Sequence, residues 1–250
     1  MTEKELLIRS SLDGTEQPSL FYEARGEGRP LLVGLHTWSC DRFNQRARLV
    51  PLAERLNFHL LLPEFRGPNL DTNPRATDAC GSELAKTDIL DAVSYVLSHT
   101  SADPDAVLLV GGSGGGHMAL LMAGLAPERF AAIAAVVPIS NVLLWKDQNP
   151  NYTRHILACT AGDEREMLRR SPISYLDGIA RANLKIFHGK RDPSVPVTQS
   201  IDLYNELMAK HPKASVYLDV FDGGHEMCME EVELFLTKQL SKRKADALSG

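Results

Sequence analysis

Val110-Gly111-Gly112-Ser113-Gly114-Gly115-Gly116-His117-Met118-Ala119 sets one serine among glycines at the junction of two apolar segments. Before it, Val107 to Val110 is a short, continuously apolar run suited to a buried parallel strand. After it, Met118 to Leu125 continues as an apolar helix face. A serine at the tip of a strand-turn-helix is the arrangement of a nucleophile elbow. The residue takes strained backbone angles that lift its hydroxyl above the sheet, and glycines on either side let neighbouring segments approach. Other glycine-rich patterns fit less well. A linker would not be flanked by core-forming segments. A phosphate-binding Walker loop needs Gly-Lys-Ser/Thr where the chain has Gly115-Gly116-His117, and a dinucleotide fingerprint begun at Gly112 would need glycine at His117.

A serine nucleophile requires a base and an acid that orients the base, and in this architecture they follow in the order serine, acid, histidine. Leu184 to Gly189 reads as a strand running into the turn Lys190-Arg191-Asp192-Pro193-Ser194-Val195-Pro196. Ser215 to Phe221 reads as another, followed by Asp222-Gly223-Gly224-His225-Glu226-Met227 and a helix from about Glu230. The loops at the carboxyl ends of parallel strands gather on one edge of a sheet, so Ser113, Asp192 and His225 are expected to meet there. Ser113 would attack a carbonyl carbon, His225 would relay the proton, and Asp192 would hold the imidazole. Asp222, three residues from His225, reads as a turn cap. His36, His117 and His188 read as packed or turn-forming, with His188 supporting the acid turn.

Charge developing on the carbonyl oxygen needs N–H donors, one from the residue after the nucleophile and one from the loop after an earlier strand. Gly114 is the first donor. Pro30 to His36 reads as the earlier strand, and the loop Thr37-Trp38-Ser39-Cys40-Asp41 offers Thr37 or Trp38 as the second. Trp38 reads equally as core or as a wall of the acyl pocket.

These segments resemble the α/β-hydrolase fold, and most closely the catalytic domain of the prolyl oligopeptidase family. Gly111 to Ala119 is similar to the family's Gly-Gly-Ser-Tyr-Gly-Gly-Tyr-Met-Ala, with Gly114 and His117 in place of the two tyrosines. His188-Gly189, Asp192, Val195-Pro196, Gln199-Ser200 and Leu203 resemble the acid segment. Gly223-Gly224-His225 resembles the histidine loop, and Leu35-His36 the strand end before the oxyanion loop. The resemblance spans about Leu31 to Leu240 and implies Ser113, Asp192 and His225 as the triad. It also implies a mostly parallel central sheet with helices on both faces. No propeller repeat precedes Leu31, and no tyrosine stands in the Thr37 to Asp41 loop. Small propeller-less relatives, similar to dienelactone hydrolases and acetyl esterases, cleave esters. The expectation is therefore a serine esterase working through an acyl-enzyme, with a peptidase acting on short peptides as the alternative. A non-catalytic binding protein is the second alternative, weakened by the retention of all three triad residue types.

Composition agrees with one catalytic domain over residues 1–250. A chain of 250 residues with 44% hydrophobic content can bury a large core. The net charge of −5, from 27 basic and 32 acidic residues, comes without a basic patch, which argues against nucleic acid and for a small-molecule ester or short peptide as the binding partner. No run of 18 apolar residues suggests a membrane span, and Met1-Thr2-Glu3-Lys4-Glu5 does not read as a signal peptide, so a cytoplasmic location is expected. Cys40, Cys80, Cys159 and Cys228 are too scattered for a metal site, and no cofactor is expected. A Cys40–Cys80 disulfide is the alternative to free thiols.

Along the rest of the chain, strands near Leu6–Arg9 and Ser19–Glu23 form a hairpin around Asp13-Gly14. A helix near Leu49–Leu56, a strand over Asn57–Leu62 and a long loop from Pro63 to Ser82 follow. In that loop Arg66 and Arg75 read either as substrate contacts or as surface arginines paired with Glu64, Asp71 or Asp78. Ser82 caps a helix over Glu83–Leu97, and Phe130–Val137 reads as a strand. Residues 140–181 leave the strand-helix alternation and read as a small cap. Trp145 and Tyr152 there, with Trp38, are the substrate-binding candidates. Ser241-Lys242-Arg243-Lys244 and the residues after them read as a solvated tail.

Overall fold

The computed structural model describes residues 1–249. Its sheet has eight strands: β1 (Thr2–Arg9), β2 (Glu16–Glu23), β3 (Arg29–Leu35), β4 (His59–Pro63), β5 (Ala102–Gly112), β6 (Ala132–Val136), β7 (Leu184–Gly189) and β8 (Val216–Phe221). Their order is β1-β2-β4-β3-β5-β6-β7-β8. β1 and β2 form the expected antiparallel hairpin, with Arg9 opposite Glu16 and Gly14 in the turn at φ +75°. β2 is also antiparallel to β4, and every later pair is parallel.

Alternation along the central strands sorts their side chains into two cores. Leu31, Val33, Leu35, Val107 and Leu109 pack on one face, against α2 (Glu83–His99), α3 (Gly114–Leu125) and α8 (Thr198–Lys210). Leu32, Leu108 and Val110 pack on the other, against α1 (Arg46–Leu56) and α9 (Met229–Ser249). Each such aliphatic side chain contributes about 1.5–3 kcal/mol by leaving water, so the central strands are the most strongly held part of the chain. Between β6 and β7, residues 140–181 hold α4 (Val142–Gln148), α5 (Pro150–Thr160), α6 (Glu164–Arg169) and α7 (Leu176–Ile179). Among the described residues no helix is long and apolar enough to cross a membrane. Ser241, Lys242 and Arg243 are exposed but helical, continuing α9. The helix also takes in residues 244–249, of which the side chains of 244 and 246–249 lie outside the described residues, as does Gly250.

Ser82 caps α2 as expected, accepting from the Ala85 N–H at 3.0 Å. The long loop before it corrects the reading of Arg66, which is neither a substrate contact nor a surface residue. Its side chain is 1% exposed and bonds Asp88 at 2.5 and 3.0 Å, Asp13 at 2.7 Å and Ser10 at 2.9 Å. The loop is thereby tied to the hairpin and α2. Arg75 pairs at the surface with Asp78, as one alternative held, and also with Asp13. Removing one partner of a buried pair strands the other charge, so Arg66→Met is expected to destabilise the fold by about 3–5 kcal/mol in urea unfolding. A change under 1 kcal/mol would refute that account.

Candidate active site

β3, β5, β7 and β8 run parallel, so Leu35, Gly112, Gly189 and Phe221 end on one edge of the sheet. Ser113 follows β5 directly at φ 57°, ψ −120°, a conformation L residues adopt only under constraint. The constraint is visible in its neighbours. The Ser113 N–H donates to Val136 O at 2.9 Å, and its carbonyl accepts from the His117 N–H at 2.8 Å, opening α3. A Cβ on Gly115 would lie 2.4 Å from Leu35 O, so the elbow can press against β3 only with glycine there. α3 begins at Gly114, four residues earlier than its apolar pattern suggests, because this packing outweighs the poor helix propensity of three glycines.

The turn after β7 carries Asp192, whose side chain is fully buried. Its Oδ1 accepts from the Ser194 and Val195 N–H groups at 2.8 and 2.9 Å, and its Oδ2 faces His225 Nδ1 at 2.7 Å. Burial alone would raise this carboxyl. The His188 imidazole 3.5 Å away and the hydrogen bonds from His225 and the Val195 N–H outweigh it and hold Asp192 well below the usual carboxylate range. Nδ1 of His225 therefore carries the proton, and Nε2 is left to accept from the Ser113 hydroxyl, 3.0 Å away. Serine, histidine and aspartate from three loops thus form one hydrogen-bonded line. His188 braces the acid turn, with Nδ1 2.7 Å from Ser200 Oγ and Nε2 2.9 Å from Val195 O. Asp222 is not a turn cap. It is exposed and pairs with Lys190 and Arg191, because those cations lie across from it on the neighbouring loop.

The donors beside Ser113 are unequally engaged. The Thr37 N–H donates to Asn44 Oδ1 at 3.2 Å, whereas the Trp38 N–H has no partner among the described residues. The Gly114 N–H donates to Thr37 Oγ1 at 3.1 Å. A Cβ at Gly114 would stand 2.5 Å from Trp38 N and 2.4 Å from Trp38 Cδ1, so Trp38 fills the space a tyrosine at 114 would need. The two departures from the family pattern in this region are linked by packing.

Trp38 itself is 4% exposed, with its ring edge-on to His117 and to Trp145 at centroid distances of 5.0 and 5.3 Å. Trp145, expected as a substrate contact, is 2% exposed. Its indole N–H donates to Ser194 O at 3.1 Å, fastening α4 to the acid turn. Tyr152 does line an open cleft of about 470 Å³, with Ser39, Asn69, Asn149, His155 and Ser194. Asn69, which carried no signal in the sequence, donates its N–H to Trp38 O at 2.7 Å and so fixes the loop's outer peptide. Asn44 was equally silent. Cys40 and Cys80 are not joined. All four cysteines are free thiols, and Cys80 lies against Cys159 of α5 instead. Burial pushes the Cys228 thiol up to about 12, which leaves it no nucleophilic character near neutral pH.

His117, in the first turn of α3, has no exposure. Its Nε2–H donates to Arg170 O at 2.6 Å, and its Nδ1 has no partner among the described residues. Burial pushes its imidazole down from 6.5 to about 3. Between those values the unfolded chain binds a proton that the folded chain refuses, so stability is complete above pH 6.5 and declines as pH falls through that window. The urea midpoint is expected to drop between pH 7 and pH 4, with a shallower drop in His117→Gln. Identical slopes for the two would refute the assignment.

Residues 82–240 match the model of the prolyl oligopeptidase family. Dipeptidyl aminopeptidase BIII of Pseudoxanthomonas mexicana is 28% identical over 216 residues, which are 81% of this chain and 31% of that protein. The chain spans about a quarter to a third of the curated relatives it matches. The acylaminoacyl peptidase of Pyrococcus horikoshii superposes with a TM-score of 0.73 at 19% identity, over 95% of this chain and 39% of that one. An esterase of Pyrococcus furiosus superposes with a TM-score of 0.72 at 16% identity, over 96% and 91% of the two chains. At such identities the two superpositions speak for the fold alone.

Proposed function

The chain belongs to the prolyl oligopeptidase family and is a serine hydrolase of that family, and on that premise we propose that it cleaves carboxylic esters through an acyl-enzyme. The observation carrying the reading is the line Ser113 Oγ, His225, Asp192, with contacts of 3.0 and 2.7 Å. Ser113 attacks the ester carbonyl as His225 Nε2 takes its proton. The imidazolium, held by the ionised Asp192, returns that proton to the departing alkoxide. Water then repeats the sequence on the acyl-enzyme. The N–H groups of Trp38 and Gly114 are the donors to the oxyanion. Residues 140–181 act as the cap, and residues 1–250 form one catalytic domain.

Esters are favoured over peptides by the cleft that borders the Trp38 loop and the acid turn. The residues lining it include His155 but no carboxylate, so the ammonium end of a short peptide finds no counter-charge there. Peptidase action remains the second reading because relatives at 28% identity are named as peptidases. The deciding experiment is fluorophosphonate labelling followed by turnover of ethyl and p-nitrophenyl acetates beside aminoacyl and prolyl p-nitroanilides. Ester turnover alone is expected. Preferential amide turnover would overturn the ester assignment, and absence of labelling would favour a binding protein without turnover.

A substrate carbonyl has to displace the Thr37 hydroxyl from the Gly114 N–H. Thr37→Val deletes that competitor at similar volume and is expected to raise kcat/KM for ethyl acetate about fivefold, the worth of a hydrogen bond of about 1 kcal/mol. A fall would mean that the hydroxyl itself helps to hold the oxyanion.

A further inference from the structure

The 470 Å³ cleft is built on the residues that follow two parts of the site. Ser39 succeeds Trp38, and Ser194 lies two residues past Asp192, to which it donates its N–H at 2.8 Å. Across from them, α5 supplies Asn151, Tyr152 and His155. The walls are braced. Asn149 Nδ2 donates to Ser194 O at 3.0 Å, and the Tyr152 and Ser39 hydroxyls are 3.3 Å apart. Asn69 lines the cleft while only 1% exposed, and its Nδ2 is anchored inward on Cys80 Sγ at 3.2 Å. Arg154 and Asp71, which bridge α5 to the loop over Asn69 and Leu70, are engaged with each other at 3.1 Å.

From this chemistry we propose that the cleft holds the alcohol part of the ester and selects a neutral, polyhydroxylated one, so that the substrates are O-acyl sugars or polyols. The proposal rests on the ester reading above. Side-chain amides and hydroxyls offer donors and acceptors together, matching hydroxyl groups that are themselves both. Tyr152, its ring tilted 36° to that of Trp145 at a centroid distance of 4.8 Å, gives the C–H face of a sugar ring an apolar surface. A cationic alcohol or the ammonium end of a peptide would enter without a counter-charge and lose its hydration. In the reaction the sugar oxygen leaves from the acyl carbon and takes the proton carried by His225, and water later releases the carboxylic acid.

The test compares methyl 6-O-acetyl-glucopyranoside with ethyl acetate. Both expel a primary alkoxide, so the ratio of their kcat/KM values reports the cleft rather than the chemistry. The wild type is expected to favour the sugar ester at least tenfold, mainly through KM, and the Asn151→Ala/His155→Ala double variant to reduce that ratio about tenfold. Methyl glucopyranoside is also expected to inhibit ethyl acetate hydrolysis competitively in the wild type and more weakly in the variant. Equal rates on the two esters, or a ratio that the variant leaves unaltered, would overturn the cleft assignment and leave the esterase standing. Failure to cleave either ester, with no fluorophosphonate labelling, would remove the function and the proposal together. Circular dichroism and an unchanged Tm show whether the variant is folded.

Discussion

Ser113→Ala should abolish fluorophosphonate labelling and lower kcat for ester hydrolysis by about 10⁶-fold, the loss seen when a serine hydrolase is deprived of its nucleophile. The hydroxyl has one hydrogen-bond partner, His225 Nε2, so its removal strands no buried donor. The backbone contacts that hold the elbow, from Ser113 N to Val136 O and from His117 N to Ser113 O, do not involve the side chain. Tm should therefore change little while turnover disappears. Alanine has to adopt the same φ of 57°, so a small destabilisation from strain is consistent with the account. Residual activity within tenfold of wild type would remove Ser113 from the mechanism.

The parts of the molecule legible in the sequence are those that local rules determine. Apolar runs that give way to polar or glycine-rich turns mark β3, β5 and β7, and parallel strands deliver their carboxyl ends to one edge, so three distant residue types could be placed together without coordinates. Partnership across the loops was not legible. Arg66 stands 22 residues from Asp88 and 53 from Asp13, and no periodicity relates them. Nothing local distinguishes an arginine that is 1% exposed from one on the surface. Trp145 failed for a related reason. In a segment without regular alternation, the direction of an aromatic is set by what packs on it, here Trp38 and the Ser194 carbonyl. The choice between Thr37 and Trp38 as donor depends on which N–H Asn44 takes, a contact seven residues along an irregular loop.

Asp192→Asn tests the proposed role of Asp192 as the orienting acid. The carboxylate does two things at once: Oδ1 accepts two backbone N–H groups that shape the turn, and Oδ2 accepts the His225 Nδ1 proton. An asparagine can preserve only one arrangement. If its oxygen keeps the turn, its NH₂ faces His225 and favours the tautomer with the proton on Nε2, which can no longer accept from Ser113. The imidazolium also loses the negative charge that stabilises it during attack. In the chymotrypsin triad the same replacement lowers kcat about 10⁴-fold with geometry intact, and a loss of that order is expected here. Asp222→Asn is the control, since Asp222 is exposed and its side chain, among the described residues, engages only Lys190 and Arg191, so its loss should cost less than threefold. Because Asp192 is held below the usual carboxylate range, its contribution to stability is complete above the unfolded value of about 3.9 and is lost only as pH falls through the lower folded value. The activity deficit of Asp192→Asn should thus persist undiminished from pH 5 to pH 8. A deficit that vanished at the alkaline end, or a larger loss in Asp222→Asn, would assign the orienting role elsewhere.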